Sequence, residues 1–289
     1  MRILHLDANR EMGGGQWQVL RLIEGLAAAA VESTLLARAE SPLFATARGQ
    51  GWRVEPLRPF RALLAARRYD LVHAHDARSH TIALMIPAVP LVVSRRVAFA
   101  IRSRWKYRRP ARFIAVSEYV KSVLVQGGVP AENITVVYDG VPLLQASTGA
   151  ATCVTVLAKS TELVSIAANL AGVTLRPTVN LERDLHDAAV LLYLTDSEGL
   201  GSGALLAMSA GVPVVASKVG GLLEVIRDGQ NGILVPNEPT AIAAALRSLL
   251  DNPDLRRRLG RAARQTVVDR FTVDRMVRHT MEVYGQVLS

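Results

Sequence analysis

The stretch Asp196-Ser197-Glu198-Gly199-Leu200-Gly201-Ser202-Gly203-Ala204-Leu205-Leu206-Ala207-Met208-Ser209-Ala210-Gly211-Val212-Pro213-Val214-Val215-Ala216-Ser217 decides the fold. An apolar run at residues 190–194 precedes it and reads as a strand. A glycine-rich turn follows, then an apolar helical run, then a second strand at 212–216. This order is one unit of a parallel α/β sheet. The glycines let the backbone approach a ligand closely. The helix start offers free N–H groups and the positive end of a dipole, which suits phosphate. Glu198, just ahead of the helix, can accept hydrogen bonds from sugar hydroxyls. Glycine turns alone would equally be structural, with an acid placed favourably at a helix start. The ordered string as a whole points to binding.

Working outward, the first half alternates strands and helices. Strands are expected at residues 3–6, 33–37, 52–56, 71–74, 91–94, 113–116 and 134–138. Val19, Leu20, Leu22, Ile23 and Leu26 mark an amphipathic helix after Gly13, Gly14 and Gly15, and residues 59–68 read as another helix. Residues 145–151 are small and polar, as linkers are. Beyond them strands are expected at 154–157, 173–176, 190–194, 212–216 and 233–235. The last forty residues read as helical and end in an amphipathic stretch at 273–288. The expected domains are 1–145 and 146–272, with 273–289 returning to the first. Ligands in such sheets bind at the carboxyl ends of strands.

Half of the 289 residues are apolar, enough for one or two cores, so a disordered chain is excluded. The single cysteine, Cys153, cannot form an internal disulfide, which suits a reducing compartment. The first residues do not read as a signal peptide, and the apolar stretch at 81–93 is too short and too proline-broken to span a bilayer. A cytoplasmic location follows as an expectation. The net charge of +9 is uneven: residues 1–145 hold 20 basic against 11 acidic side chains, and the remainder holds 14 of each. Arg95, Arg96, Arg102, Arg104, Lys106, Arg108, Arg109 and Arg112 meet no acid between residues 95 and 112. This patch reads either as a solvated surface or as an anion-docking face, such as the inner face of an anionic membrane. Phe99, Trp105 and Tyr107 within it could stack on bases. No nucleic-acid-binding motif accompanies them, so nucleic acid is not the expected partner.

The motifs together resemble the GT-B glycosyltransferases of family 4. Their donor signature runs Glu-Gly-Phe-Gly, then Glu-Ala-Met-Ala, then Gly-x-Pro-Val-Val-Ala-Ser. Here Glu198-Gly199-Leu200-Gly201 and Gly211-Val212-Pro213-Val214-Val215-Ala216-Ser217 match it. Gly220-Gly221-Leu222-Leu223-Glu224 and Asp228-Gly229-Gln230-Asn231-Gly232 continue the match, as do Asp70-Leu71-Val72-His73-Ala74-His75 and Tyr138-Asp139-Gly140-Val141. The resemblance implies an α/β protein with two Rossmann-like domains, their parallel sheets facing across a cleft. It implies a retaining transferase that takes a nucleotide-sugar donor and needs no metal. Glu198 would hold donor hydroxyls. Gly199, Leu200, Gly201, Ser202 and Gly203 would face the donor phosphates. The loop Gly13, Gly14 and Gly15 would close over the diphosphate. His75 would stand near the reaction centre, where a neutral-to-cationic imidazole is plausible.

Metal-ligand spacing is not apparent among Cys153 and the six histidines, and no Asp-x-Asp cluster stands at a strand end. The acidic pair flanking Arg183 reads as a helix surface. The sequence departs from the family in two places. Leu206 stands where a second glutamate usually binds the ribose, eight residues after Glu198. The second domain is short. Lys159 is either the remnant of a lysine-glycine phosphate clamp or an ordinary surface lysine, so the second domain is expected to be reduced. Two functions remain: an active transferase with an unidentified acceptor, envelope polysaccharide or lipid-linked sugar among the candidates; or a degenerate GT-B protein that binds a nucleotide, a sugar or a partner subunit.

Overall fold

The computed structural model describes residues 1–86, 89–101, 104–148, 153–158 and 160–289. The chain divides into two compact units, Met1–Gly140 with Val273–Ser289, and Val141–Thr272.

The first unit holds seven strands: β1 (Arg2–Asp7), β2 (Glu32–Ala37), β3 (Val54–Pro56), β4 (Leu71–Ala74), β5 (Leu91–Arg95), β6 (Arg112–Ala115) and β7 (Ile134–Val136). They are joined through α1 (Gly14–Ala28), α2 (Pro42–Gly49), α3 (Pro59–Ala66), α4 (Ala77–Ala83) and α5 (Glu118–Gln126). The sheet order is β3-β2-β1-β4-β5-β6-β7, parallel throughout. The order reverses between β1 and β4, so the carboxyl ends at Asp7 and Ala74 mark the place where such sheets bind ligands. Ile3, Leu71, Val92 and Ile114 form a core with Leu22 and Leu26 of α1 and with the C-terminal helix. A second core, Val19, Ile23, Leu35 and Leu43, fills the space between α1, β2 and α2.

The second unit contains β8 (Val154–Ala158), α6 (Thr161–Ala171), β9 (Leu175–Pro177), α7 (Leu181–Asp184), β10 (Val190–Leu194), α8 (Ser202–Ser209), β11 (Val214–Ser217), α9 (Leu222–Val225) and β12 (Ile233–Val235). The helices α10 (Pro239–Leu250) and α11 (Pro253–Arg270) follow, and α12 (Val273–Leu288) belongs to the first unit. The second unit's sheet has five parallel strands, in the order β12-β11-β10-β8-β9. The reversal here lies between β8 and β10, and Glu198 stands in the turn that follows β10. Every residue of β10 is buried, as a central parallel strand covered on both faces requires. All of α8 from Ala204 to Ser209 is buried too. The second sheet has five strands where the first has seven, and α6 stands between β8 and β9.

Candidate functional site

In the second unit the chain turns from β10 into α8 around Glu198. Gly201 has φ of 102°, a left-handed conformation that favours glycine, and it caps α8. Leu205 N donates to Gly201 O, so the amides of Ser202, Gly203 and Ala204 have no partner within the helix. Leu200 is buried, and Ser202 and Gly203 are half-buried. Glu198 Oε2 accepts from the Tyr193 hydroxyl at 2.6 Å and Oε1 from the Gly199 amide at 3.0 Å. The turn is also pinned from outside. Thr195 N donates to Ser217 Oγ at 3.0 Å, and Asn237 Nδ2 donates to Thr195 O and Asp196 Oδ1, each at 3.2 Å. These bonds tie the ends of β10, β11 and β12 together. Gly221 N donates to Glu198 O at 3.0 Å and closes the back of the turn.

Leu206 is 6 % exposed within α8. Lys159 lies outside the described residues. Of the acidic pair read as a helix surface, Asp184 is instead buried, bound to Thr178 Oγ1 at 2.9 Å and to Arg183.

In the first unit Gly13, Gly14 and Gly15 do not form a loop. Gly13 caps α1, and Gly14 and Gly15 are its first residues. Gln16 fastens this start: its Oε1 accepts from Gly13 N at 3.2 Å, and its Nε2 donates to Asp7 Oδ2 at 3.0 Å. Asp7 is buried beside Asp76, and desolvation together with that second carboxylate raises its pKa.

His75 follows β4 and is 5 % exposed. Its Nε2 lies 2.9 Å from His5 Nδ1, and its Nδ1 lies 3.4 Å from an Arg96 guanidinium nitrogen. Arg96 in turn pairs with Asp139 at 3.3 Å. A guanidinium only donates, so His75 Nδ1 accepts and its Nε2 carries the proton toward His5. His5 Nε2 then donates to Ser33 Oγ at 3.3 Å. His73 is held separately, by the Tyr284 hydroxyl at 2.6 Å and Ser94 Oγ at 2.8 Å. Desolvation, His73, Arg96 and His5 together hold the His75 imidazole well below its usual pKa, so it is neutral near pH 7.

His5, His73 and His75 come within metal-binding reach of one another, with one ring nitrogen of each inside 4.8 Å. Sequence spacing did not show this, because His5 and His73 meet only through the register of β1 on β4. The donor chemistry does not suit a cation. A metal ligand normally donates its other ring N–H outward. His75 instead receives a bond from Arg96 there, which leaves its inward nitrogen protonated.

The basic stretch is partly turned inward. Arg95 donates to Phe99 O at 2.6 Å, Arg109 donates to Ala83 O at 2.7 Å and to Ile86 O, and Arg112 donates to Glu132 O. Arg108 stays exposed, as do Phe99 at 65 % and Trp105 at 64 %. Arg102 and the side chain of Arg104 lie outside the described residues. No described helix is long and apolar enough to cross a membrane.

Two parallel α/β sheets of this strand order, with a glycine turn behind Glu198 and a helix start at Gly13, are features of the GT-B fold. Residues 12–144 match the model of glycosyltransferase family 4, and residues 164–266 match that of glycosyl transferases group 1. The chain belongs to the GT-B glycosyltransferases of the family 4 type. D-inositol 3-phosphate glycosyltransferase of Streptomyces coelicolor is 41 % identical over 136 residues, 44 % of this chain and 29 % of that protein. Glycogen synthase of Mycobacterium tuberculosis is 39 % identical over 101 residues, 35 % of this chain and 24 % of that one. The matches thus span less than a third of these relatives' length. Among solved structures, Anabaena HepE in complex with UDP-glucose has a TM-score of 0.87 at 17 % identity, covering 99 % of this chain and all of that one. Sucrose-phosphate synthase of Thermosynechococcus elongatus has a TM-score of 0.81, also at 17 % identity, covering 99 % of this chain and 98 % of that one. At that identity the likeness is one of fold.

Proposed function

We propose that the protein is a retaining glycosyltransferase that moves a hexosyl group from a nucleoside-diphosphate sugar to an acceptor without a catalytic metal. The observation that carries this reading is Glu198: a carboxylate fixed at the switch point of the second sheet, directly before a helix start with free amides. Glu198 accepts hydroxyls of the donor sugar. The amides of Ser202 and Gly203 face the diphosphate, where negative charge grows as the leaving group departs. The bond between the anomeric carbon and the phosphate oxygen breaks. An acceptor oxygen bonds to that carbon on the same face, and its proton passes to the departing diphosphate. His75 and the α1 start at Gly13, Gly14 and Gly15 carry the first unit's part of the reaction, His75 as a neutral group. HepE crystals hold UDP and UDP-glucose, which supports a uridine donor as the first to try.

The test is release of nucleoside diphosphate from UDP-, GDP- and ADP-glucose, with and without EDTA. The reading expects release from one donor, unchanged by EDTA and cut at least a hundredfold in Glu198→Ala. Release that survives Glu198→Ala would remove the site assignment, and release abolished by EDTA would remove metal independence.

One observation favours the second reading, a binder without turnover: buried Leu206 cannot accept from a ribose diol. Donor binding by calorimetry without any release would establish it. The exposed Phe99 and Trp105 beside Arg108 support docking of the first unit to the inner, anionic face of a membrane that carries the acceptor. Equal co-sedimentation with neutral and anionic vesicles would exclude that docking.

A further inference from the structure

The carboxylate on which the proposed function relies is not free to turn. Tyr193 donates to Glu198 Oε2 at 2.6 Å, and the Gly199 amide donates to Oε1 at 3.0 Å. Tyr193 is the fourth of five residues in β10, and its register partners are Leu157 on β8 and Ala216 on β11. The ring is therefore set by the central strands of the sheet, not by the turn it reaches. Burial, with Glu198 beside it, pushes the phenol pKa far up, so Tyr193 keeps its proton and remains a donor. The same ring reaches the start of α8. A Cβ on Gly203 would stand 3.1 Å from Tyr193 Cε2 and 2.7 Å from Leu157 Cδ2. One side chain thus touches both halves of the turn, the acid and the helix start.

A carboxylate has about four lone-pair positions. Two are taken here, one on each oxygen. The two that remain have fixed directions, and a sugar hydroxyl is held only as well as its acceptor is held. Removing the phenolic oxygen leaves Oε2 without its strand-borne donor and lets the carboxylate rotate.

We propose that Tyr193 is a positioning residue: its hydroxyl clamps Glu198 in the orientation that receives the hydroxyls of the donor's hexosyl group. This rests on the donor-binding reading of the second unit. It adds a residue that the family signature beginning at Glu198 does not contain.

The test compares the whole protein with Tyr193→Phe and Tyr193→Leu. Phe keeps the ring and its packing and loses only the oxygen. With whichever of UDP-, GDP- and ADP-glucose the wild-type protein turns over, Tyr193→Phe lowers kcat about tenfold or more, the range expected for a lost hydrogen bond to a charged group. Affinity for the corresponding bare diphosphate, UDP, GDP or ADP, stays within about twofold, because the helix-start amides are untouched. In a Glu198→Ala background the same substitution changes kcat by less than about twofold, since the clamp then has no acceptor to orient. A purely space-filling role predicts the reverse: Phe equal to wild type and only Leu impaired. That pattern, or equal losses of kcat and diphosphate affinity in Tyr193→Phe, overturns the inference. A wild-type protein that neither binds nor turns over any of the three donors strikes the donor-binding reading itself, and this inference falls with it.

Discussion

Gly221→Ala is expected to weaken donor binding by a steric route that the structure lets one size. Gly221 has φ of −67° and ψ of −13°, a conformation open to any residue, so glycine is required there by space alone. A Cβ at this position would lie 2.0 Å from Gly199 O, 2.6 Å from Gly199 C and 2.8 Å from Leu200 Cα. All three are backbone atoms of the turn behind Glu198, and none can rotate away. A carbon and a carbonyl oxygen settle no closer than about 3.3 Å, so the turn must retreat by more than about 1 Å. Overpacking of this kind costs about 1–3 kcal/mol. A misplacement of about 1 Å costs about a hundredfold in rate, and the same displacement loosens the donor contacts that this turn sets. Gly260→Ala is the matched control. Its Cβ would meet Gly211 O at 2.2 Å, again backbone, where α11 packs on the turn after α8. Both variants should lose about 1–3 kcal/mol in urea unfolding, and only Gly221→Ala should lose nucleotide-sugar affinity in calorimetry. Wild-type affinity in a folded Gly221→Ala protein would refute the reasoning.

Three further outcomes follow from the first unit. The Arg96–Asp139 pair has side chains only 12 % and 9 % exposed, so Arg96→Met takes a guanidinium from a buried carboxylate and should lower stability in urea unfolding; an unchanged midpoint would contradict the pairing. Burial holds His5 down to about 3 and His80 down to about 4, and holds His73 and His75 well below their usual values. The folded state then binds fewer protons than the unfolded chain below about pH 6.5, so stability is full above that pH and falls as the solution is acidified toward pH 4. A urea midpoint equal at pH 7 and pH 5 would contradict this. Gly25→Ala would bring a Cβ to 2.4 Å from Val277 Cγ2 where α1 meets α12, and since a valine can yield, a loss of about 1–2 kcal/mol is expected from thermal unfolding.

The sequence showed the strands more clearly than the site. Central strands such as Val190–Leu194 are continuous apolar runs, and their parallel order follows from the alternation with helices. The short helices Pro42–Gly49 and Ala77–Ala83 are too brief for a periodic pattern. Their signals were capping ones: Ser41 before Pro42, and Asp76 three residues before Ser79. Glu198 and its glycines were legible because they are contiguous. The His5, His73 and His75 cluster was not, since its members are joined by strand register across about seventy residues. Tyr193 was hidden because it lies inside an apolar strand, where an aromatic residue reads as core. The basic stretch was legible as charge, but not the backbone carbonyls that Arg95, Arg109 and Arg112 turn inward to meet.

The most direct measurement is a crystal structure of the protein soaked with the nucleotide sugar it binds best. The account predicts sugar hydroxyls within hydrogen-bond distance of Glu198, with the diphosphate against the amides of Ser202 and Gly203. Density for the ligand elsewhere, with the Glu198 turn filled only by water, would contradict it.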